Sequence, residues 1–338
     1  MLDSVTAPAG TAPAEITLVG AVTMALARAM ADDDSVVLLG EDVGVDGGVF
    51  RATDGLLARF GAGRVLDTPL AEATLVGAAV GMAAEGLRPV VEIQFMGFLY
   101  PAIDQLVSHA SRLRNRTRGR LSCPLVVRAP MGGGIHAPEH HSESTEAMFA
   151  QVPGLRVVIP SSPGRAYGLL LAAIRDPDPV VFLEPTRLYR AMREPVADDG
   201  AALPLDRCFV LREGEDVTIA SWGGMTRDAL AVADALAADG IAAEVIDVAT
   251  LQPLDVDTIL GSVEKTGRLV VVHEAPLTAG FGAEIAARVA EHALLSLQAP
   301  IARVAAPDVV VPLPRLEAAY MPDKARIEEA VRRTVAFS

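Results

Sequence analysis

From Thr17 onward, short aliphatic runs alternate with Ala- and Leu-rich stretches in which apolar positions recur every three or four residues. That alternation predicts α/β units around a mostly parallel sheet. Residues 36–39, 90–93, 125–127, 157–159 and 180–183 are short, apolar and bounded by turn residues, as buried strands are. Helices are predicted near 17–31, 72–86, 101–116 and 162–175, the second carrying a buried stripe of Leu75, Val76, Ala79 and Ala83. Between residues 184 and 207 the pattern fails, because Pro185, Pro195, Asp198, Asp199, Gly200 and Pro204 occur without period, as in a linker. A second α/β series follows, with strands at 217–220, 243–246, 269–272 and near 301–304. The expected organisation is a flexible Ala/Pro-rich tail over 1–15, a first domain at 16–190, a linker at 191–206 and a second domain at 207–338.

Composition narrows the function classes. The chain has 338 residues, more than one ordinary core of about 250 residues accommodates. Its 51% hydrophobic and 21% charged residues suit a folded globule. A formal charge of -14 argues against nucleic acid, which is bound by clustered Lys and Arg, and makes a basic partner the expectation. Cys123 and Cys208 stand far apart and outside any CxxC spacing, so neither a disulfide framework nor a zinc ribbon is indicated, and a reducing cytoplasm fits. Residues 1–15 carry no Lys or Arg, unlike a secretory or transit signal, and no run approaches the ~20 apolar residues that span a bilayer. No membrane association is expected.

Four segments hold candidate chemistry. Gly40-Glu41-Asp42-Val43-Gly44 follows a predicted strand, at the end where open α/β sheets place ligands, though an ordinary acidic loop reads the same way. Asp67-Thr68-Pro69-Leu70-Ala71-Glu72 puts Glu72 at a helix start, where a carboxylate also simply suits the helix dipole. Phe95, Phe98 and Tyr100 crowd a loop after a strand, as a stacking surface or as core. The run from Met131 to Ser142 concentrates His136, His140 and His141 beside three glycines. It lacks HExxH and a nearby cysteine, which weakens a zinc reading, and neither a P-loop nor a GxSxG elbow is present.

Taken in order, these segments resemble the beta subunits of pyruvate and branched-chain 2-oxoacid dehydrogenases. The resemblance rests on GEDVG at Gly40, DTPLAE ending at Glu72, GLRPVVEIQF from Gly86, His141-Ser142, PGLRVVIPS from Pro153, IRDPDPVVFLEP from Ile174, LQPLD from Leu251 and SVEKTGR from Ser262. It implies an α/β fold in which a transketolase-like pyrimidine-binding domain precedes a transketolase C-terminal domain. It also implies pairing with a separate alpha subunit in an alpha2beta2 enzyme that shares thiamine diphosphate between chains. The Mg²⁺ ion would be held by the alpha subunit, and this sequence has no Gly-Asp-Gly motif for it.

Residue by residue, the resemblance assigns Glu72 to the hydrogen bond with the pyrimidine ring nitrogen, with burial expected to raise its pKa. Phe98 is assigned to stacking on that ring, Leu70 and Glu41 to its surroundings, and His141 to acyl transfer onto a lipoyl group. A K⁺ or similar monovalent cation is implied at oxygens of Leu125, Ala173, Asp176 and Asp178. The implied activity is oxidative decarboxylation of a 2-oxoacid with acyl transfer to lipoyl groups. Pyruvate is the first expectation, a branched-chain 2-oxoacid or acetoin the alternatives, and a noncatalytic assembly subunit the reading of another class. The second implied partner is the dihydrolipoyl acyltransferase core, gripping through its small subunit-binding domain. A basic module on so acidic a chain is expected to lose affinity steeply between low and high salt, which calorimetric titration at two ionic strengths checks; salt-independent binding would count against it.

Overall fold

The computed structural model describes residues 12–337. Its strands are β1 (Ala14–Ile16), β2 (Val36–Gly40), β3 (Val65–Asp67), β4 (Arg88–Glu92), β5 (Val126–Met131), β6 (Arg156–Val158) and β7 (Val180–Pro185) in the first half. They continue as β8 (Glu194–Val196), β9 (Phe209–Arg212), β10 (Val217–Ser221), β11 (Ala243–Asp247), β12 (Thr250–Gln252), β13 (Leu269–Pro276) and β14 (Ala302–Ala306). One sheet has the order β12-β6-β7-β5-β4-β2-β3, parallel except for β12. A second has the order β14-β13-β10-β11-β9, parallel except for β9.

The continuous apolar runs are explained by burial on both sheet faces, since successive side chains of a strand point opposite ways. Val36 and Leu38 pack with the helices Leu18–Asp32 and Pro163–Arg175, whereas Val37 and Leu39 pack with the helix Glu72–Ala84. The stripe of Leu75, Val76, Ala79 and Ala83 is buried there. Thr17 caps the first helix by accepting from Gly20 N at 3.3 Å. Among the described residues, no helix is long and apolar enough to cross a membrane.

Several local expectations differ from the structure. Within the expected tail, Ala14–Ile16 pairs antiparallel with Glu194–Val196 of the expected linker; residues 1–11 lie outside the described residues. Pro195 is tolerated because a two-stranded ribbon leaves N–H positions that need no partner. The helix expected over 101–116 is a broken path: a 3-10 turn at Met96–Ala102, a π turn at Gln105–His109, a 3-10 turn at Ala110–Arg112 and an α turn at Leu113–Arg116. Pro101, which lacks an N–H, sits in the first of these. Thr250–Gln252, far along the chain, completes the edge of the first sheet. One apolar cluster likewise runs from Val37 and Val91 through Ile159 to Trp222, Leu251 and Phe281, so the two halves share a core.

Three charged residues within the strands of the first sheet satisfy one another. Arg128 on β5 donates to Glu92 on β4 (Nη1 to Oε2, 2.7 Å) and makes a two-pronged contact with Glu184 on β7 (2.7 and 2.9 Å). Tyr189 adds a 2.6 Å bond to Glu184. All four are buried, so Glu184 closes a strand rather than opening a linker. Removing the central cation leaves two buried carboxylates unpaired, a change costing about 3–5 kcal/mol. Arg128→Met is expected to lower unfolding free energy by that amount in urea titration; a loss under ~1 kcal/mol would show that the carboxylates find other partners.

Candidate active site

The carboxyl ends of β2, β4 and β5 deliver the candidate residues to one region. Glu41 leaves β2 in a loop whose backbone is gripped by Asp67: Gly44 N and Val45 N donate to its two oxygens at 2.6 and 3.1 Å. Thr68 N donates to Gly40 O at 2.9 Å, tying the turn before Glu72 to the same strand end. Glu41 is only 5% exposed, yet neither of its carboxylate oxygens has a hydrogen-bond partner. Burial, then the neighbouring charges of Glu72 and Asp42, push its carboxyl up to about 7.

Glu72 opens its helix, after an N-cap residue, Ala71, that offers no side-chain bond. Its carboxylate is half-buried and makes no hydrogen bond among the described residues, so neither helix capping nor a partner uses it up. Leu70, just before, is 78% exposed, and Val45 on the facing loop is 81% exposed. Apolar side chains standing open beside a buried carboxylate call for a covering surface.

The aromatic group forms around His141. Its ring lies edge-on to Phe95 (centroids 4.4 Å apart) and to Phe98 (5.1 Å), and its Nδ1 is buried without a partner. Phe98 is half-buried and also approaches Phe95 at 5.7 Å and His140 at 5.4 Å. Tyr100 donates to Glu143 Oε2 at 2.6 Å, joining the aromatic turn to the histidine loop. The structure therefore places Phe98 with His141, and Glu41 with Glu72. Unpaired buried oxygens, a free apolar rim and an available aromatic face fit a flat ring that carries N–H donors and a basic nitrogen.

Leu125, Ala173, Asp176 and Asp178 meet elsewhere, where the helix Pro163–Arg175 turns into β7. Leu125 O accepts from Val180 N (2.9 Å), Ala173 O from Asp176 N (3.3 Å) and Asp176 Oδ1 from Asp178 N (2.8 Å). Guanidinium groups serve the carboxylates: Arg114 Nε is 2.7 Å from Asp178 and Arg156 Nε is 2.9 Å from Asp176. Arg114, one of the alternating arginines of 112–120, thus has an intrachain partner. Sequence reasoning assigned no role to Asp67 or the Arg128 triad; an Arg and two Glu inside apolar runs were the available signal for the triad.

Known proteins share this architecture. The family described as transketolase, pyrimidine binding domain, matches residues 14–192, and that described as transketolase, C-terminal domain, matches 206–327. The pyruvate dehydrogenase E1 component subunit beta of Bacillus subtilis strain 168 is 48% identical over 324 residues, 96% of this chain and 100% of the relative. A protein of the same name from Staphylococcus epidermidis strain RP62A shows the same identity and coverage. Among solved structures, a split gene transketolase described as an inactive beta4 tetramer has a TM-score of 0.79 at 24% identity, covering 96% of this chain and 99% of that one. That likeness establishes the fold.

The buried Glu41 carboxyl generates a pH signature. A folded-state pKa raised from 4.5 to about 7 means that the protonated Glu41 stabilises the fold at low pH and that this contribution is lost as pH rises through 7. Glu41→Gln is expected to gain stability relative to the parent chain across that window. Carboxyl ¹³C NMR should place the Glu41 titration near 7, and Glu72→Gln should lower it by removing a neighbouring charge; a Glu41 titration near 4.5 in the parent chain would refute its burial, and no change in Glu72→Gln would refute the pairing.

Proposed function

The chain belongs to the family of pyruvate dehydrogenase E1 component beta subunits, and from that membership we propose that it acts with a separate alpha subunit as a thiamine-diphosphate-dependent decarboxylase of pyruvate. The observation that carries the site reading is Glu41, buried with both oxygens unpaired beside Glu72, at the carboxyl end of a parallel sheet.

In this reading the pyrimidine ring of the cofactor lies between these residues: Phe98 offers a face, Leu70 an apolar contact, Glu41 an unpaired acceptor and Glu72 the bond to a ring nitrogen. When bound, thiamine diphosphate supplies a nucleophilic carbon for the keto group and an electron sink for loss of CO₂. Glu72 holds and moves the proton at its carboxyl oxygen, a task helped by its freedom from other partners. Burial first, and the nearby charge of Glu72 second, favour the protonated form of Glu41, which keeps a proton available in the site near neutral pH. Phe95 and Phe98 hold the His141 imidazole between them, and in this reading it serves acyl transfer to a lipoyl group.

The rest of the site comes from the alpha subunit, which closes the exposed rim at Val45 and Leu70 and holds the diphosphate and Mg²⁺. K⁺ at the Leu125, Ala173, Asp176 and Asp178 oxygens belongs to the same reading as a structural ion, and it shares the carboxylates with Arg114 and Arg156. The acyltransferase core docks on the acidic second half through its subunit-binding domain.

The test is pyruvate-dependent reduction of an artificial electron acceptor by this chain, alone and mixed with its alpha subunit, with thiamine diphosphate and Mg²⁺. Activity is expected only in the mixture, and Glu72→Gln should lower it about 10²- to 10⁴-fold. Equal activity by the isolated chain would overturn the shared site, and turnover of branched-chain acids or acetoin but not pyruvate would reassign the substrate.

A further inference from the structure

The loop that carries His141 is held in place by the other half of the chain. Leaving β5, the backbone takes left-handed conformations at Gly132, Gly134 and His136 (φ 85°, 87° and 58°). Such a path makes few ladder bonds of its own; within it Gly132 N donates to Glu143 O at 3.0 Å and His141 N to Pro138 O at 3.0 Å. Its position is set from outside. Glu317, in the helix Pro314–Tyr320 and only 3% exposed, turns its carboxylate onto the loop: Oε1 accepts from Gly134 N at 2.8 Å and Oε2 from His136 N at 3.1 Å. His136 Nδ1 lies 2.8 Å from the same Oε2. Among the described residues, no Arg or Lys forms an ion pair with Glu317.

Two further contacts tighten the hold. Glu274 on β13 lies against the loop, so that a side chain at Gly132 would collide with its carboxylate, and it pairs with Arg187 at 2.9 Å. A side chain at Gly133 would come within 2.7 Å of Met321 Sδ, so the loop lies directly against the second half. Met321 and Tyr320, flanking Glu317, are buried in a small apolar cluster with Ala306 and Val311, which anchors the helix from which Glu317 projects. Charge-assisted bonds to backbone N–H groups are shorter and stronger than neutral ones and directional, so they fix a loop rather than merely attract it.

We propose that Glu317 is a positioning residue, acting through the backbone of residues 134–136 to hold His141 against Phe95 and Phe98 for acyl transfer to the lipoyl group. The proposal rests on the reading of His141 given above. It assigns the second half of the chain a part in a step whose reacting groups sit on the first.

The test uses the enzyme assembled with its alpha subunit and two rates: pyruvate-dependent reduction of an artificial acceptor, and reductive acylation of an isolated lipoyl domain. Glu317→Ala is expected to lower kcat for lipoyl acylation about 10- to 100-fold, as misplacement by about an ångström does. Acceptor reduction should stay within about twofold, since it bypasses the histidine. Glu317→Gln, which keeps an oxygen acceptor of the same shape, should restore part of the loss. Combining Glu317→Ala with His141→Ala should add nothing to His141→Ala alone. Amide hydrogen exchange at Gly134 and His136 should quicken in Glu317→Ala. Equal losses in both rates, or intact acylation where His141→Ala impairs it, would overturn the proposal. Intact acylation in His141→Ala would remove the His141 reading itself, and the exchange rates tell the two failures apart.

Discussion

The site depends on one buried interaction, the Arg128 guanidinium held between Glu92 and Glu184. These side chains come from three adjacent parallel strands near their carboxyl ends, immediately beneath the loops that carry Glu41, Phe98 and His141. Parallel strands slide relative to one another only by breaking the whole ladder, and a charge that must meet two partners on opposite sides tolerates no slip. The glycine at position 48 approaches the same Glu92, leaving no room for a side chain there. The triad thus sets the register of the strand ends and, through it, the spacing of the loops above.

That floor separates two chemical environments. Below it lies a core with alternate residues buried on both faces; above it are groups left unpaired on purpose, namely both oxygens of Glu41 and Nδ1 of His141. A buried polar atom without a partner costs stability, and a fold sustains such costs where a second molecule is to supply the missing bond. The exposed Leu70 and Val45 carry the same message in apolar terms. In the proposed reading the site is half of a site, open toward a partner and closed toward its own core.

Most strands and three of the four helices expected in the first half were legible because their apolar runs and their 3.6-residue stripe record burial directly. Glu41, Leu70, Glu72, Phe98 and His141 stood out through motifs in register with a family, not through periodicity, since a carboxylate at a helix start reads equally well as a dipole partner. What stayed hidden was non-local. No single segment tells that Arg128 faces Glu92 and Glu184, because register between strands is a property of the pair. The ribbon of β1 with β8 was hidden for the same reason, its partners being some 180 residues apart. Residues 101–116 were read as one helix because their apolar spacing is helical, while Pro101 and the close packing of the preceding turn against the histidine loop, where Gly97 meets His140, break the path.

The strand β12 belongs by sequence to the second half and by hydrogen bonding to the first. The unit of inheritance and the unit of folding therefore do not coincide in this chain. A chimera that joins the first half of one relative to the second half of another, cut at the obvious linker, exports a strand with the wrong partner and asks a foreign edge to receive it. Successful exchanges between relatives must match the β6 edge to residues 250–252 as well as the shared core, even though each half resembles a separable module.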